Sequence, residues 1–145
     1  MENLCSGCGN GLNDFLYCGP CNSGHFRDNF SNWTSGHDSI DQLIKESQLN
    51  AVSYHSLLEW IEFSKLRYVE HIAEGGFGRV YKAIWEDGPL SHGESKRVNF
   101  WDEERREWIR EGETQVAIKK YRNATNVSSD FMNEVNKIKV INNFK

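Results

Sequence analysis

The chain has 145 residues, with 17 basic and 21 acidic side chains and a net charge of −4. That length holds one ordinary domain, or a small domain and part of another. No run approaches the roughly 20 apolar residues of a membrane span, and the N-terminus lacks the basic start and apolar run of a secretory leader, so a cytoplasmic chain with reduced thiols and no membrane partner is expected.

All four cysteines fall within the first 21 residues, as Cys5-x-x-Cys8 and Cys18-x-x-Cys21 with nine residues between the pairs. Each pair makes a tight turn that aims two sulfurs at one ion, the ligand set of a structural tetrahedral zinc site. Gly9 follows Cys8 and Gly19 lies inside the second pair, where a backbone without Cβ turns sharply. A segment as small as 1–24 has no core of its own, so metal binding would supply its folding free energy, on the order of 10 kcal/mol. Cys18-Gly19-Pro20-Cys21 is also spelled like a thioredoxin-type redox centre, but no βαβ pattern surrounds it. His25 and His37 are surplus beside four sulfurs and read as exposed. Residues 1–40 hold one cation, Arg27, against four acids. That balance disfavours a zinc-ribbon nucleic-acid binder, which needs clustered Lys and Arg.

Residues 25–64 read as a linker with a docking helix. Residues 22–38 are rich in Asn, Ser, Gly and Asp and suggest a loop that packs Phe26, Phe30 and Trp33. Asp38 or Ser39 can cap a helix beginning at Ile40, with Ser39 and Gln42 fitting a capping box. Ile40, Leu43, Ile44, Ser47 and Ala51 recur at helical spacing, giving an amphipathic helix of about three turns. Leu57, Leu58, Trp60, Ile61 and Phe63 form an apolar lead-in expected to cover one edge of the sheet that follows.

Residues 65–145 carry the second pattern. Arg67–Ala73 and Arg79–Trp85 read as strands, with Gly75, Gly76 and Gly78 between them. Strand, glycine turn, strand is a hairpin. A dinucleotide fingerprint needs a helix after the turn, and a Walker A loop needs Gly-Lys-Ser/Thr; neither is present. A hairpin turn without side chains lets backbone N–H groups approach a triphosphate. Over Ile72-Ala73-Glu74-Gly75-Gly76-Phe77-Gly78, Phe77 would shield the phosphates, and Val80 would lie on the adenine. A third strand, Thr114–Arg122, contains Val116-Ala117-Ile118-Lys119. Alternate residues share a strand face, so Ala117 and Lys119 point together, the first leaving room for the base and the second reaching the α/β-phosphates. Lys120 falls on the other face. Residues 128–142 read as a helix with Phe131, Val135, Ile138 and Ile141 on its buried stripe, and Glu134 falls along it as the carboxylate partner of Lys119. The 86–113 connection carries nine acids and five bases. A connection of that length with no structure of its own is uncommon, and Trp101 and Trp108 at i, i+7 suggest a short helix across 102–110.

From Leu66 to Phe144 the chain resembles the N-lobe of eukaryotic protein kinases. Over nearly its full length it resembles an expanded tyrosine-kinase-like kinase family of arbuscular mycorrhizal fungi. The supporting residues are Cys5, Cys8, Cys18 and Cys21, Trp33-Thr34-Ser35-Gly36, Leu58-Glu59-Trp60-Ile61, Gly75-Gly76-Phe77-Gly78, Trp101-Asp102, Trp108 and Val116-Ala117-Ile118-Lys119. The resemblance implies ATP binding, magnesium in the full-length enzyme, and phosphoryl transfer to hydroxyls of a protein substrate. Ala73 stands where the family's loop has its first glycine. No His-Arg-Asp catalytic loop or Asp-Phe-Gly follows within the sequence, and those supply the base and metal ligands of this chemistry, so the chain alone is expected to be inactive. The fold class expected is α+β, a small four-cysteine zinc-knuckle segment and helix followed by a partial kinase N-lobe of antiparallel strands plus one helix. The alternative is a catalytically inactive zinc/N-lobe fragment that acts as a protein-binding module.

Overall fold

Cys18 is extended (φ −96°, ψ 102°) and the chain turns helical immediately after it, forming α1 over Gly19–Asn29. Pro20 sits in the first turn, where its fixed φ suits a helix and its missing N–H has no partner to lose. Residues 22–29, expected as loop, are therefore helical. Asn22 and Phe26 are the buried side chains of α1, one turn apart on one face. The polar composition of the segment concealed a stripe only two residues wide. In the computed structural model, residues 3–76, 78–91 and 100–121 are described.

These residues form two helices and two antiparallel sheets, a mixed α/β chain. They divide into two units, one of Met1–Trp60 with Leu90–Arg110 and one of Ile61–Pro89 with Glu111–Lys145. The first unit thus takes in the middle of the long connection as well as both N-terminal segments.

In the first unit, α2 spans Asp38–Asn50 with Ile44 and Gln48 buried, and it packs on α1. The helix starts two residues before Ile40, and no Ser39–Gln42 box forms; Gln42 instead donates to Glu46. Its start is organised by Asp41. That carboxylate accepts from the Ser35 amide (2.7 Å), the Ser35 hydroxyl (2.5 Å) and the Thr34 hydroxyl (2.5 Å). Those three donors hold the Asp41 carboxyl down at about 2, the Ser35 hydroxyl being the largest cause. Gly36, at φ +84°, makes the reversal that lets Thr34 and Ser35 face back toward the helix. After α2, Leu58 is tied to it by both backbone groups: its N–H donates to Ser47 (2.9 Å) and its carbonyl accepts from Gln48 (2.9 Å). Leu57 is 6% exposed and belongs to the core of this unit, not to the edge of the following sheet; Phe63 is exposed.

The connection contributes β3 (Trp101–Asp102) and β4 (Glu107–Trp108), paired antiparallel with Trp101 opposite Trp108. The expected helix across 102–110 is a hairpin. Asp102 accepts from the amides of Glu104 (3.0 Å) and Arg105 (3.2 Å) and so starts the turn. Two tryptophans seven apart suit one helix face, but they suit a symmetric hairpin of six residues between them equally well, and here the turn chemistry decides. The core of the unit joins Tyr17, Phe26, Ala51, Leu57, Leu90 and Phe100, with Phe30, Tyr54 and Trp108 packed against it.

In the second unit, β1 (Leu66–Gly75), β2 (Gly78–Trp85) and β5 (Thr114–Tyr121) form an antiparallel sheet in the order β1-β2-β5. The register shifts between Arg67 and Glu70, where Tyr68 has φ +54°, and again between His71 and Ala73. Where the chain leaves and rejoins this sheet, the Glu111 N–H donates to Pro89 (3.0 Å) and the Gly112 N–H to Asp87 (3.0 Å). Gly88 is packed into this neck at φ +70°, and a Cβ there would lie 1.9 Å from the Gly112 carbonyl oxygen. No helix among the described residues is long and apolar enough to cross a membrane.

Candidate functional site

The four cysteines converge in the first unit. Cys5 and Cys8 sit on a small turn closed by the Leu4–Gly11 bridge and by hydrogen bonds from the Cys5 amide to Asn10 (2.8 Å) and from the Gly9 amide to Cys5 (2.9 Å). Gly9 has φ +75°, a conformation few side chains tolerate. Cys18 and Cys21 occupy the N-cap and first turn of α1. The intervening loop is held by Asn13, whose Oδ1 accepts from Phe15 (3.0 Å) and Tyr17 (3.1 Å) and whose amide donates to Val52 (2.6 Å).

All four sulfurs lie within 4.8 Å of one another. Cys5 and Cys21 Sγ are 3.7 Å apart, Cys8 and Cys18 Sγ 3.6 Å. A tetrahedron with metal–sulfur bonds of about 2.3 Å has edges of about 3.8 Å, so these separations suit four ligands of one ion. They are far from the roughly 2 Å of a disulfide. Burial pushes the Cys18 thiol up, opposed by a hydrogen bond from the Cys21 backbone. Burial, then the neighbouring sulfurs, pushes the Cys21 thiol up as well. A cation among the sulfurs reverses that penalty, since ligand thiols bind metal as thiolates. The Gly7 amide, 3.3 Å from Cys5 Sγ, is a donor placed to stabilise that charge. Four closely grouped cysteines that could hold a metal ion are thus a feature of the fold.

The glycine hairpin is in the second unit. Gly75 pairs with Gly78, and Gly76 lies at the turn with open space where a Cβ would project. Glu74 and Arg79 face each other across the hairpin at 3.2 Å. In the β2–β5 register Val80 stands opposite Lys119 and Lys82 opposite Ala117. Directly opposed residues share a sheet face, so Val80, Ala117 and Lys119 lie on one side, with Ala73 opposite Val80 on β1. Lys120 is on the other face with Arg79. Lys82 is also on the Val80 face and is paired with Glu70 at 3.3 Å. Ile72 and Glu74 are exposed on β1. Phe77 and Glu134, and with it the helix expected over 128–142, lie outside the described residues.

Two features of this architecture were not anticipated from the sequence. Arg110 donates to both Glu59 oxygens (2.6 and 3.3 Å), tying the connection to the segment after α2. His25 stacks on Trp101 at 4.0 Å, and Phe26 stacks on Trp108 at 4.5 Å. The ion pair left no local signal, since its partners are 51 residues apart. Comparison with protein-family models gave no match, and neither did comparison with curated proteins or with solved structures.

Proposed function

We propose that this chain is the N-terminal part of an ATP-dependent protein kinase, with a structural zinc centre preceding the nucleotide-binding sheet. The observation that carries the reading is the β2–β5 register: Val80, Ala117 and Lys119 share one face beside a turn built from Gly75, Gly76 and Gly78. On that reading the backbone of residues 72–78 approaches the phosphates, Val80 and Ala117 bracket the base, and Lys119 supplies the cation. Glu134 would be its carboxylate partner, and magnesium would be held with ATP in the full-length enzyme, whose protein substrate is phosphorylated on a hydroxyl. Zinc fits a closed set of four thiolates better than harder divalent ions, and a thiolate centre of this kind suits the reducing cytoplasm.

The test is nucleotide titration of the chain, followed by amide shifts along β1, β2 and β5. Lys119→Met is expected to weaken ATP binding about 10- to 100-fold, the worth of a charge-assisted hydrogen bond. Absence of binding, or binding indifferent to Lys119→Met, would overturn the assignment. The binding-module reading has one observation in its favour, the exposure of Leu4, Phe15, Leu16 and Val52 in the cysteine unit. It predicts partner capture that depends on the cysteines and is insensitive to Lys119→Met.

A further inference from the structure

The segment joining β2 to β5 has no role in either site as described so far, yet most of it belongs to the cysteine unit. Helix α1 connects the two. Its first turn carries Cys18 and Cys21. One turn further on, His25 and Phe26 provide the rings on which Trp101 and Trp108 rest. Tyr17, the neighbour of Cys18, faces Phe100 with ring centroids 6.0 Å apart. Phe100 and Leu90 are each 2% exposed within the same core as Tyr17 and Phe26. The base of the arm is closed by Ser91 donating to Ile109 (2.8 Å), by Ile109 donating to Phe100 (2.7 Å), and by the Glu59–Arg110 pair.

Neither partner is sufficient alone. The β3–β4 hairpin pairs only two residues on each strand, and an isolated two-stranded hairpin is marginal in water. Helix α1 has 11 residues and no side-chain hydrogen bond at its N-cap, and a free helix of that length is also marginal. Its first turn carries two of the four sulfurs, so an ion held among them would fix that turn.

We infer that the four-cysteine centre and the hairpin inserted between β2 and β5 fold as one linked unit, so that metal binding at Cys5, Cys8, Cys18 and Cys21 orders the hairpin. The inference rests on the metal-binding reading of the cysteines. Linkage makes it reciprocal: a group that is ordered by the metal must in turn strengthen metal binding. Phe100 is 79 positions from the nearest ligand in sequence, Cys21, and takes no part in coordination, yet its truncation should be felt at the sulfurs.

The experiment measures zinc affinity of the whole chain by competition with a chromogenic chelator, for wild type, Phe100→Ala and the milder Arg110→Gln. It also compares amide exchange with and without zinc. Phe100→Ala is expected to weaken zinc binding at least about tenfold, and Arg110→Gln less but in the same direction. Zinc removal is expected to speed exchange at Ser91 and Ile109 at least about tenfold relative to the β1–β2 ladder. Should Phe100→Ala fail to stay soluble, Arg110→Gln and wild-type exchange decide. Wild-type zinc affinity in both variants, or hairpin amides equally protected in the zinc-free chain, would refute the coupling while leaving the metal site standing. A wild-type chain that binds no zinc would overturn both.

Discussion

Replacing Gly88 by alanine tests the neck where the connection leaves the sheet. The residue has φ +70°, and an added Cβ would lie 1.9 Å from the Gly112 oxygen, 2.8 Å from Thr114 Oγ1 and 2.9 Å from the Gly112 carbonyl carbon. The left-handed conformation alone costs alanine about 1–2 kcal/mol. The clash is with backbone, so it cannot be relieved by a side-chain rotation. The neck must open, and the hydrogen bonds Gly112 to Asp87 and Glu111 to Pro89 are placed at risk, at roughly 1 kcal/mol net each. The expected loss is about 3–4 kcal/mol from these contributions. Gly112→Ala supplies the control. It has φ +81° with nothing within 4 Å of its Cβ position, so it carries the conformational cost without the clash. Because the chain has two units, the assay should follow one of them, and exchange of β2 and β5 amides in denaturant does so. A Gly88→Ala loss within about 0.5 kcal/mol of the Gly112→Ala loss, inside ordinary scatter for surface sites, would show that the close approach has no energetic weight.

Glu59→Gln leaves Arg110 with a neutral partner where the two side chains are only 15% and 24% exposed; a loss of about 1–3 kcal/mol in the cysteine unit is expected from a charge-assisted hydrogen bond, and a variant melting with wild type would remove the pair from the account. Asp41→Asn should destabilise the start of α2. Because the Asp41 carboxyl is lowered from its ordinary 3.8 to about 2, its contribution is complete above the unfolded value and is lost as pH falls through about 2. The deficit of Asp41→Asn should therefore stay constant from roughly pH 5 to pH 8. Denaturation at several pH values checks this, and a deficit that shrinks within that range would mean that another group sets it.

Local patterns in the sequence were enough for several elements, for reasons that are themselves local. Alternation and β-branched residues marked the strands at Leu66–Gly75, Gly78–Trp85 and Thr114–Tyr121; the first two run one or two residues past their expected ends, and Arg122, the expected end of the third, lies outside the described residues. The glycines between the first two strands marked a turn, and the repeat of Ile40, Leu43, Ile44 and Ser47 marked a helix face, although Ala51 falls just past the end of α2 and Gln48, outside the repeat, is buried with Ile44. Two CxxC pairs nine residues apart are a ligand pattern contained in 17 consecutive residues, so the grouping of Cys5, Cys8, Cys18 and Cys21 was legible from spacing.

What the tertiary structure decided concerns partners far apart in the chain. Phe26 and Phe30 lie in a polar stretch and form a recognisable stripe only once Leu90, Phe100 and Trp108 pack against the same core. Leu57 is as apolar as the residues after it, and nothing in its neighbours says that it faces the cysteine unit and not the sheet. Glu59 meets Arg110, and His25 meets Trp101, across separations that no periodicity encodes. Spacing along a strand or helix is a property of the backbone and can be read from the residues themselves. The choice of which apolar surface covers which is made by burial, and burial depends on the whole chain at once.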